Sequence, residues 1–103
     1  MSKISLMAKL TAADGKADEL KAALQAMIVA AEEEPGLEIY SVHADTSDAN
    51  VFHFFELYAD QAALDVHGKG DGMREAMGAL RGLLDGRPEV TMLSPVAAKG
   101  MDI

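Results

Sequence analysis

Three side chains that can transfer protons lie in one short stretch of the chain: Glu56, Tyr58 and His67. An imidazole, with a reference pKa of about 6.5, can take up or release a proton at neutral pH. A carboxyl group buried in a strand must be paired or protonated, and both states suit proton abstraction or hydrogen bonding to a substrate hydroxyl. Tyr58 adds a phenolic O–H beside that carboxyl group. These residue types predict acid–base chemistry at His67, Glu56 and Tyr58.

Each of these residues also has a structural interpretation that the residue types leave open. His67 could be a partly buried side chain that caps a short helix before Gly68. Glu56 could form a structural pair with a neighbouring side chain or with His67. Tyr58 could be a core aromatic whose hydroxyl reaches water.

Metal and cofactor motifs receive little support from the sequence. His43 and His53 belong to two neighbouring predicted strands and could face each other, but two ligands make a weak metal site and no third ligand is evident. Gly68, Gly70 and Gly72 do not follow a strand into a helix with dinucleotide-binding spacing. We therefore expect no metal, flavin or nicotinamide, and the predicted chemistry uses no cofactor.

Apolar periodicity predicts the elements that must position these residues. Alternating apolar residues predict strands at 3–11, 37–44, 51–59 and 90–96. Three- and four-residue spacing predicts a first helix that follows a turn at Asp14, with Asp14 as its cap, and that stops at Pro35. The glutamates at 32–34 are interpreted as the solvated end of that helix.

Two further helical segments are predicted between the third and fourth strands. A short helix capped by Asp60 should run to His67, and the three glycines that follow should loosen the chain. A second helical run should then place four apolar residues on one face and close at Gly86: Met73, Met77, Leu80 and Leu84.

The order strand, helix, strand, strand, helix, strand predicts an α+β fold of ferredoxin-like (split βαβ) topology, an antiparallel sheet with helices on one face. We expect one domain over residues 1–103, with a core at about 4–96 and a tail at 97–103. On the third strand both faces are largely apolar, and the helices suffice for one face. A second copy of the chain is the simplest cover for the other face, which predicts a homodimer closing a dimeric α/β barrel.

Charge and composition limit the partners and the compartment. The chain has 9 Lys and Arg against 17 Asp and Glu, a formal net charge of -8, which disfavours binding to nucleic acid. The N-terminal residues lack an unbroken apolar run, so neither a signal peptide nor a membrane span is predicted. The absence of cysteine fits a reducing cytoplasm, and we expect a cytoplasmic protein.

Three segments of the sequence resemble the antibiotic biosynthesis monooxygenase (ABM) domain family. The segment FELYADQAALDVH at 55–67 is similar to one family pattern. In that pattern a strand ends with an aromatic residue, a Glu, any residue and a second aromatic residue. A short Ala-rich helix that contains a His then follows. EPGLEIYSVH at 34–43 is similar to the entry into its second strand, and GRPEVT at 86–91 to the run into its last strand. The resemblance extends from about residue 4 to about residue 96 and implies the ferredoxin-like fold and dimerisation.

The resemblance implies several possible activities. The family includes cofactor-independent oxygenases of electron-rich aromatics and quinols, haem-degrading enzymes, a sugar-phosphate isomerase and members without a known reaction. Haem-degrading members combine an Asn, a Trp and the helix His, whereas this chain has Ala8 and Tyr58 at the first two positions and His67 at the third. A second family His is replaced in the segment 70–73.

Ala8 and Tyr58 disfavour haem degradation, whereas the missing second His supports a non-catalytic domain. The predicted function is a cofactor-independent monooxygenase acting on a small quinol or polyphenolic substrate. The alternatives are a related isomerase of a small carbonyl or sugar metabolite and a non-catalytic small-ligand-binding domain. The site is predicted between the sheet and the short helix of the same chain. Its expected substrate-binding residues are Phe54, Leu64, Tyr40 and His43.

Overall fold

The computed structural model of the protein describes residues 2–103, which form four strands and three helices. In chain order the elements are β1 (Ile4–Thr11), α1 (Ala17–Ala30), β2 (Leu37–Ala44), β3 (Val51–Tyr58), α2 (Gln61–Lys69), α3 (Asp71–Ala79) and β4 (Glu89–Leu93). Within residues 2–103 no helix is both long and apolar enough to cross a membrane.

The strands form a four-stranded sheet in the order β2-β3-β1-β4, and every neighbouring pair is antiparallel. Two β-strand–helix–β-strand units are interleaved in this order, which is the split βαβ arrangement. The predicted α+β, ferredoxin-like fold is therefore confirmed.

The core lies between one face of this sheet and the helices. Leu6, Ala8 and Leu10 alternate with exposed residues along β1 and are buried, as the period of a half-buried strand requires. Leu20 and Leu24, one turn apart on α1, are fully buried against the same cluster. The helices thus cover one sheet face, and the parity of each strand decides which side chains reach the space beneath them.

Helix α1 begins later than its sequence suggested. Asp14 lies in a turn that is closed by the hydrogen bond from Lys16 N–H to Ala13 C=O, and Lys16 occupies the cap position. Since this turn separates Asp14 from the first helical N–H groups, its side chain makes no capping bond. The predicted Asp14 cap is wrong.

Helix α2 carries His67 and is fixed at its start by Asp60. The Asp60 carboxylate accepts a hydrogen bond from Ala63 N–H at 2.9 Å, which confirms the predicted cap. The helix continues to Lys69, two residues beyond His67. Extended backbone at Gly70 separates α2 from α3, whereas Gly68 and Gly72 lie inside these helices instead of loosening the chain.

Helix α3 and strand β4 are shorter than predicted. α3 ends at Ala79 because the chain turns at Gly82, where φ is 82°, a left-handed conformation that favours glycine. Leu80 still reaches the core, with 2% of its surface exposed. β4 stops at Leu93, opposite Ser5 near the start of β1, and Pro95 beyond it has no N–H with which to extend the ladder.

Candidate active site

A cavity of about 240 Å³ lies between the helix-covered face of the sheet and the helices α2 and α3. Its walls are mostly apolar and come from every strand and helix of the fold. Strands contribute Leu6, Ala8, Phe54 and Val90, and helices contribute Met27, Leu64, Met73 and Met77. Four polar side chains line it: Tyr40, Glu56, Tyr58 and His67.

Strand β3 supplies the cavity floor through its alternating side chains. Phe54, Glu56 and Tyr58 share one face and are 2%, 7% and 0% exposed. Tyr58 donates its hydroxyl hydrogen bond to Glu56 Oε1. The predicted parity therefore brings a carboxyl group and a phenol into direct contact inside an apolar space.

His67 reaches the same space from α2 and is 8% exposed. Its Nδ1 lies 2.9 and 3.0 Å from the two carboxylate oxygens of Glu34. Because an ionised carboxylate only accepts hydrogen bonds, we assign the proton of the neutral ring to Nδ1. Nε2 then presents its lone pair toward Glu56, whose Oε1 lies 4.0 Å away.

The Nε2 atom of His67 is buried and makes no hydrogen bond to any of residues 2–103. A buried polar atom without a partner is costly in a folded protein and is expected at binding and catalytic sites. The gap of 4.0 Å to Glu56 leaves Nε2 close to a carboxyl group without a direct bond to it. A substrate hydroxyl could donate to Nε2 in this position.

Glu34 is a site residue that the sequence interpretation missed. α1 ends at Ala30, and the turns that follow redirect the chain, so Glu34 approaches α2 and is 29% exposed. The pair that it forms with His67 joins residues 33 positions apart. Its position before Pro35 and Gly36 was a signal of a fixed turn, which distinguishes Glu34 from Glu32 and Glu33.

Aromatic side chains hold the imidazole from two directions. The ring of Tyr40 meets His67 edge-on at 5.2 Å between centroids and stacks on Phe54 at 5.1 Å. Tyr58 lies on another side of the imidazole at 5.7 Å. These contacts and the Glu34 bond restrict the orientation of the ring, which a directional base requires.

Burial controls the ionisation of the site. Burial removes solvent from the Glu56 carboxyl group and raises its pKa. The hydrogen bond from Tyr58 and the nearby His67 act in the opposite direction, but the effect of burial is the larger. Burial also raises the pKa of Tyr58, and the bond to Glu56 adds to this effect. The pKa of Tyr40 is raised by burial and by the charge of Glu56. Both phenols therefore remain protonated at neutral pH, and Tyr58 donates its hydrogen bond to Glu56.

Of the predicted substrate-binding residues, three line the cavity and one does not. Phe54, Leu64 and Tyr40 are lining residues. His43 is exposed on the opposite face of β2, where its Nε2 lies 2.9 Å from Ser41 Oγ. Since side chains alternate along a strand, Tyr40 and His43 point to opposite faces, and the assignment of His43 to this site is wrong.

The described side chains form no cluster that would hold a metal ion. Within residues 2–103 no group of three or more His, Cys, Asp or Glu side chains is arranged around a common centre. His43 and His53 are opposite each other across β2 and β3, but His53 bonds to Asp45. Nε2 of His67 faces the Glu56 carboxyl group.

Comparison with known proteins identifies the family. The chain belongs to the antibiotic biosynthesis monooxygenase family, whose sequence pattern matches residues 3–79. This confirms the resemblance found in the sequence. An uncharacterized protein of Synechocystis sp. is 40% identical over 52 residues, which is 50% of this chain and 35% of that protein. The match thus spans about a third of the length of that curated relative.

Solved structures share the fold along nearly the whole chain. PA3566 from Pseudomonas aeruginosa superimposes with a TM-score of 0.86 at 28% identity, covering 94% of this chain and 97% of that one. A Caulobacter crescentus protein that carries the same family designation gives a TM-score of 0.87 at 27% identity, covering 93% and 92%. Rv0793 from Mycobacterium tuberculosis gives 0.86 at 25% identity, covering 94% and 98%.

Proposed function

We propose that this protein is a cofactor-independent monooxygenase of small, apolar phenols or quinols. One observation carries the proposal: the unbonded Nε2 atom of His67, oriented through Nδ1 by Glu34, is buried at an apolar cavity. A base oriented by a carboxylate through its other ring nitrogen is the arrangement used in many enzymes to remove a hydroxyl proton. The family includes monooxygenases, which makes this chemistry consistent with the fold.

The first step is removal of a proton from the substrate hydroxyl. Nε2 of His67 accepts the proton, and Glu34 stabilises the imidazolium that forms. The phenolate is then paired with that imidazolium in a space from which water is excluded. Glu56, whose pKa is raised by burial, can donate a hydrogen bond from its protonated form to the same oxygen.

The second step is the reaction of the phenolate with O₂. The electron-rich ring transfers an electron to O₂, and the two radicals combine at a ring carbon to give a hydroperoxide. Loss of water from that carbon leaves a carbonyl group, so one oxygen atom enters the product and the other leaves as water. For a naphthol the balance is C₁₀H₈O + O₂ → C₁₀H₆O₂ + H₂O, and the substrate supplies all four electrons.

The size and lining of the cavity favour an aromatic substrate over a sugar. A dry cavity of about 150 Å³ accepts benzene. The volume of about 240 Å³ found here therefore suits two fused rings. Among the described residues, the lining contains few polar groups, so the ring hydroxyls of a sugar would lose their hydration without replacement bonds. This argues against the isomerase alternative.

Oxygen uptake with a panel of one- and two-ring phenols and quinols tests the proposed function. We expect at least one two-ring phenol to consume O₂ in proportion to enzyme, and labelled O₂ to place one oxygen atom in the quinone product. Hydrogen peroxide should not accumulate, since the second atom leaves as water. Ligand binding without O₂ uptake across the panel would contradict the proposal and indicate a non-catalytic binding domain.

The proposed functional form is a homodimer joined through the sheet face opposite the helices. Met7 lies at the centre of this face, between Phe55 on β3 and Thr91 on β4, and 46% of its surface is exposed. Leu93 on the same face is 38% exposed. Covering these side chains with a second copy would remove apolar surface from water.

Light scattering checks the dimer. We expect about twice the chain mass of 10.9 kDa for the unmodified protein and a monomer for Met7→Glu, because a charge would be buried at the centre of the interface. Val29→Glu is the matched control, since Val29 is 65% exposed on α1 and away from the sheet. A monomeric unmodified protein at micromolar concentration would contradict the dimer.

A further inference from the structure

A basic groove lies on the surface beside the cavity, at the junction of α2 and α3. It is lined by Lys69, Arg74 and Arg81, with glycines and Met73 and Met77 between them. Within residues 2–103, no acidic side chain lines this groove. Arg74 lies on α3, and Arg81 lies in the turn that follows this helix.

This groove is exceptional in a chain with such an acidic balance. Only 9 Lys and Arg accompany 17 Asp and Glu, yet three of the nine line this one surface. Lys3, Lys9 and Lys16 each pair with a glutamate elsewhere in the fold. These placements leave the groove as a local concentration of positive charge.

Acidic residues close to the groove neutralise it little. Arg74 lies 3.5 Å from Asp71, but the side chains are 80% and 97% exposed, and exposed pairs of this kind are weak. Glu75 is also on α3 but does not line the groove. The guanidinium groups therefore remain able to bind an external anion, for which their planar donor geometry suits a carboxylate.

The groove and the cavity are neighbours that share part of their walls. Gly68, Met73 and Met77 line both spaces, and Gly68 directly follows His67. The inner end of the cavity carries the carboxyl group of Glu56, whereas the groove carries the positive charges. A ligand that occupies both would place its hydroxyl inward and any anionic group outward.

We propose that the ligand of this protein is an aromatic acid, with its phenolic ring in the cavity and its carboxylate bound by Arg74, Arg81 and Lys69. This inference rests on the proposed function, because it assumes a phenol at His67. It narrows the substrate class from apolar phenols to hydroxylated aromatic carboxylates and assigns the basic groove as their anchoring site.

Calorimetric titration under nitrogen with a matched ligand pair tests the groove. 2-Naphthol and 6-hydroxy-2-naphthoate share the phenol and both rings, and they differ in the carboxylate alone. We expect the unmodified protein to bind the naphthoate about fivefold to tenfold more tightly at low ionic strength. Arg74→Gln with Arg81→Gln should remove that advantage and leave the affinity for 2-naphthol unchanged.

A second double variant controls for net charge. Lys21→Gln with Lys99→Gln changes the total charge equally at exposed positions outside the groove and the cavity, and it should keep the advantage of the naphthoate. Added salt should reduce the advantage in the unmodified protein and in this control, since the pairing is exposed to solvent.

The outcomes separate this inference from the proposed function. If 2-naphthol binds but the carboxylate adds no affinity, or if its advantage survives in the Arg74 and Arg81 variant, the groove inference is wrong and the proposed function stands. If the advantage depends on the two arginines while no phenol is oxidised, the groove inference stands and the monooxygenase proposal is wrong. If neither ligand binds, both are contradicted.

Discussion

We expect His67→Ala to lower the rate of phenol-dependent oxygen uptake by a factor of about 10²–10⁴, the usual contribution of a general base. The expected loss is large because Nε2 of His67 is the one unbonded basic nitrogen at the cavity among the residues described. Removing the imidazole leaves the substrate hydroxyl facing Glu56, which already accepts the hydrogen bond of Tyr58 and cannot take up a proton in its protonated form. The measurement is oxygen uptake at saturating substrate.

A second histidine provides a matched control for His67. His53 also pairs with a carboxylate, since its Nε2 lies 2.8 Å from Asp45. Its side chain lies on the face of β3 opposite to the cavity, and it does not line the cavity. His53→Ala should leave the rate within about twofold of the unmodified protein. An equal loss in both variants would contradict a specific role of His67.

Two readouts distinguish a catalytic imidazole from a structural one. Added imidazole should partly restore the rate of His67→Ala, because that variant opens space beside Glu56 and Tyr58. Glu34→Gln should lower kcat while leaving the affinity for 2-naphthol unchanged, since Glu34 orients His67 and does not line the main cavity. Unfolding of His67→Ala, with loss of the dimer, would show that His67 is structural.

The positions of the strands and helices could be predicted because apolar residues recur along the sequence at the spacing typical of each. The alternation of Leu6, Ala8 and Leu10 fixes one face of β1, and the same parity places Phe54, Glu56 and Tyr58 together on β3. Element ends were less predictable. The end of α3 depends on Gly82 adopting a left-handed conformation, which the apolar spacing through Leu84 does not encode.

The composition of the site could be predicted only in part because half of it depends on long-range contacts. Glu34 was interpreted as a solvated residue, since Pro35 and Gly36 indicate a turn beside it but nothing local indicates that this turn brings it to His67. His43 was assigned to the site together with Tyr40, although strand alternation puts the two on opposite faces. The basic groove contains Lys69, the last residue of α2, and Arg81, which follows α3. No local sequence pattern specifies that these two residues come together.

Glu56→Gln is expected to change activity and stability in opposite directions. Gln keeps the shape of the side chain and can still accept the hydrogen bond from Tyr58, but it cannot gain or lose a proton. The rate of oxygen uptake should fall by about 10², because an amide stabilises the phenolate oxygen less well than a protonated carboxyl group does. The free energy of unfolding at neutral pH should rise, since a buried ionisable group has been replaced by a neutral one.

The pH dependence of this stability difference follows from the raised pKa of Glu56. The folded state holds the proton more firmly than the unfolded state, whose carboxyl group has its ordinary pKa of 4.5. Below pH 4.5 the carboxyl group is protonated in both the folded and the unfolded state, so its ionisation does not change the free energy of unfolding. As the pH rises from there through the folded pKa, the unmodified protein loses stability that Glu56→Gln retains.

Urea unfolding across this pH range measures the effect. The two proteins should have nearly equal free energies of unfolding below the ordinary carboxyl pKa, and the variant should become the more stable as the pH rises, reaching a constant difference above the folded pKa. Glu38→Gln is the matched control. Glu38 carries the same group on β2, but it is an exposed partner of Lys3, so no gain in stability is expected there. A variant at Glu56 that is less stable at every pH would mean that the ionised carboxylate is a structural partner of His67, and the loss of activity would then have to be attributed to a displaced imidazole.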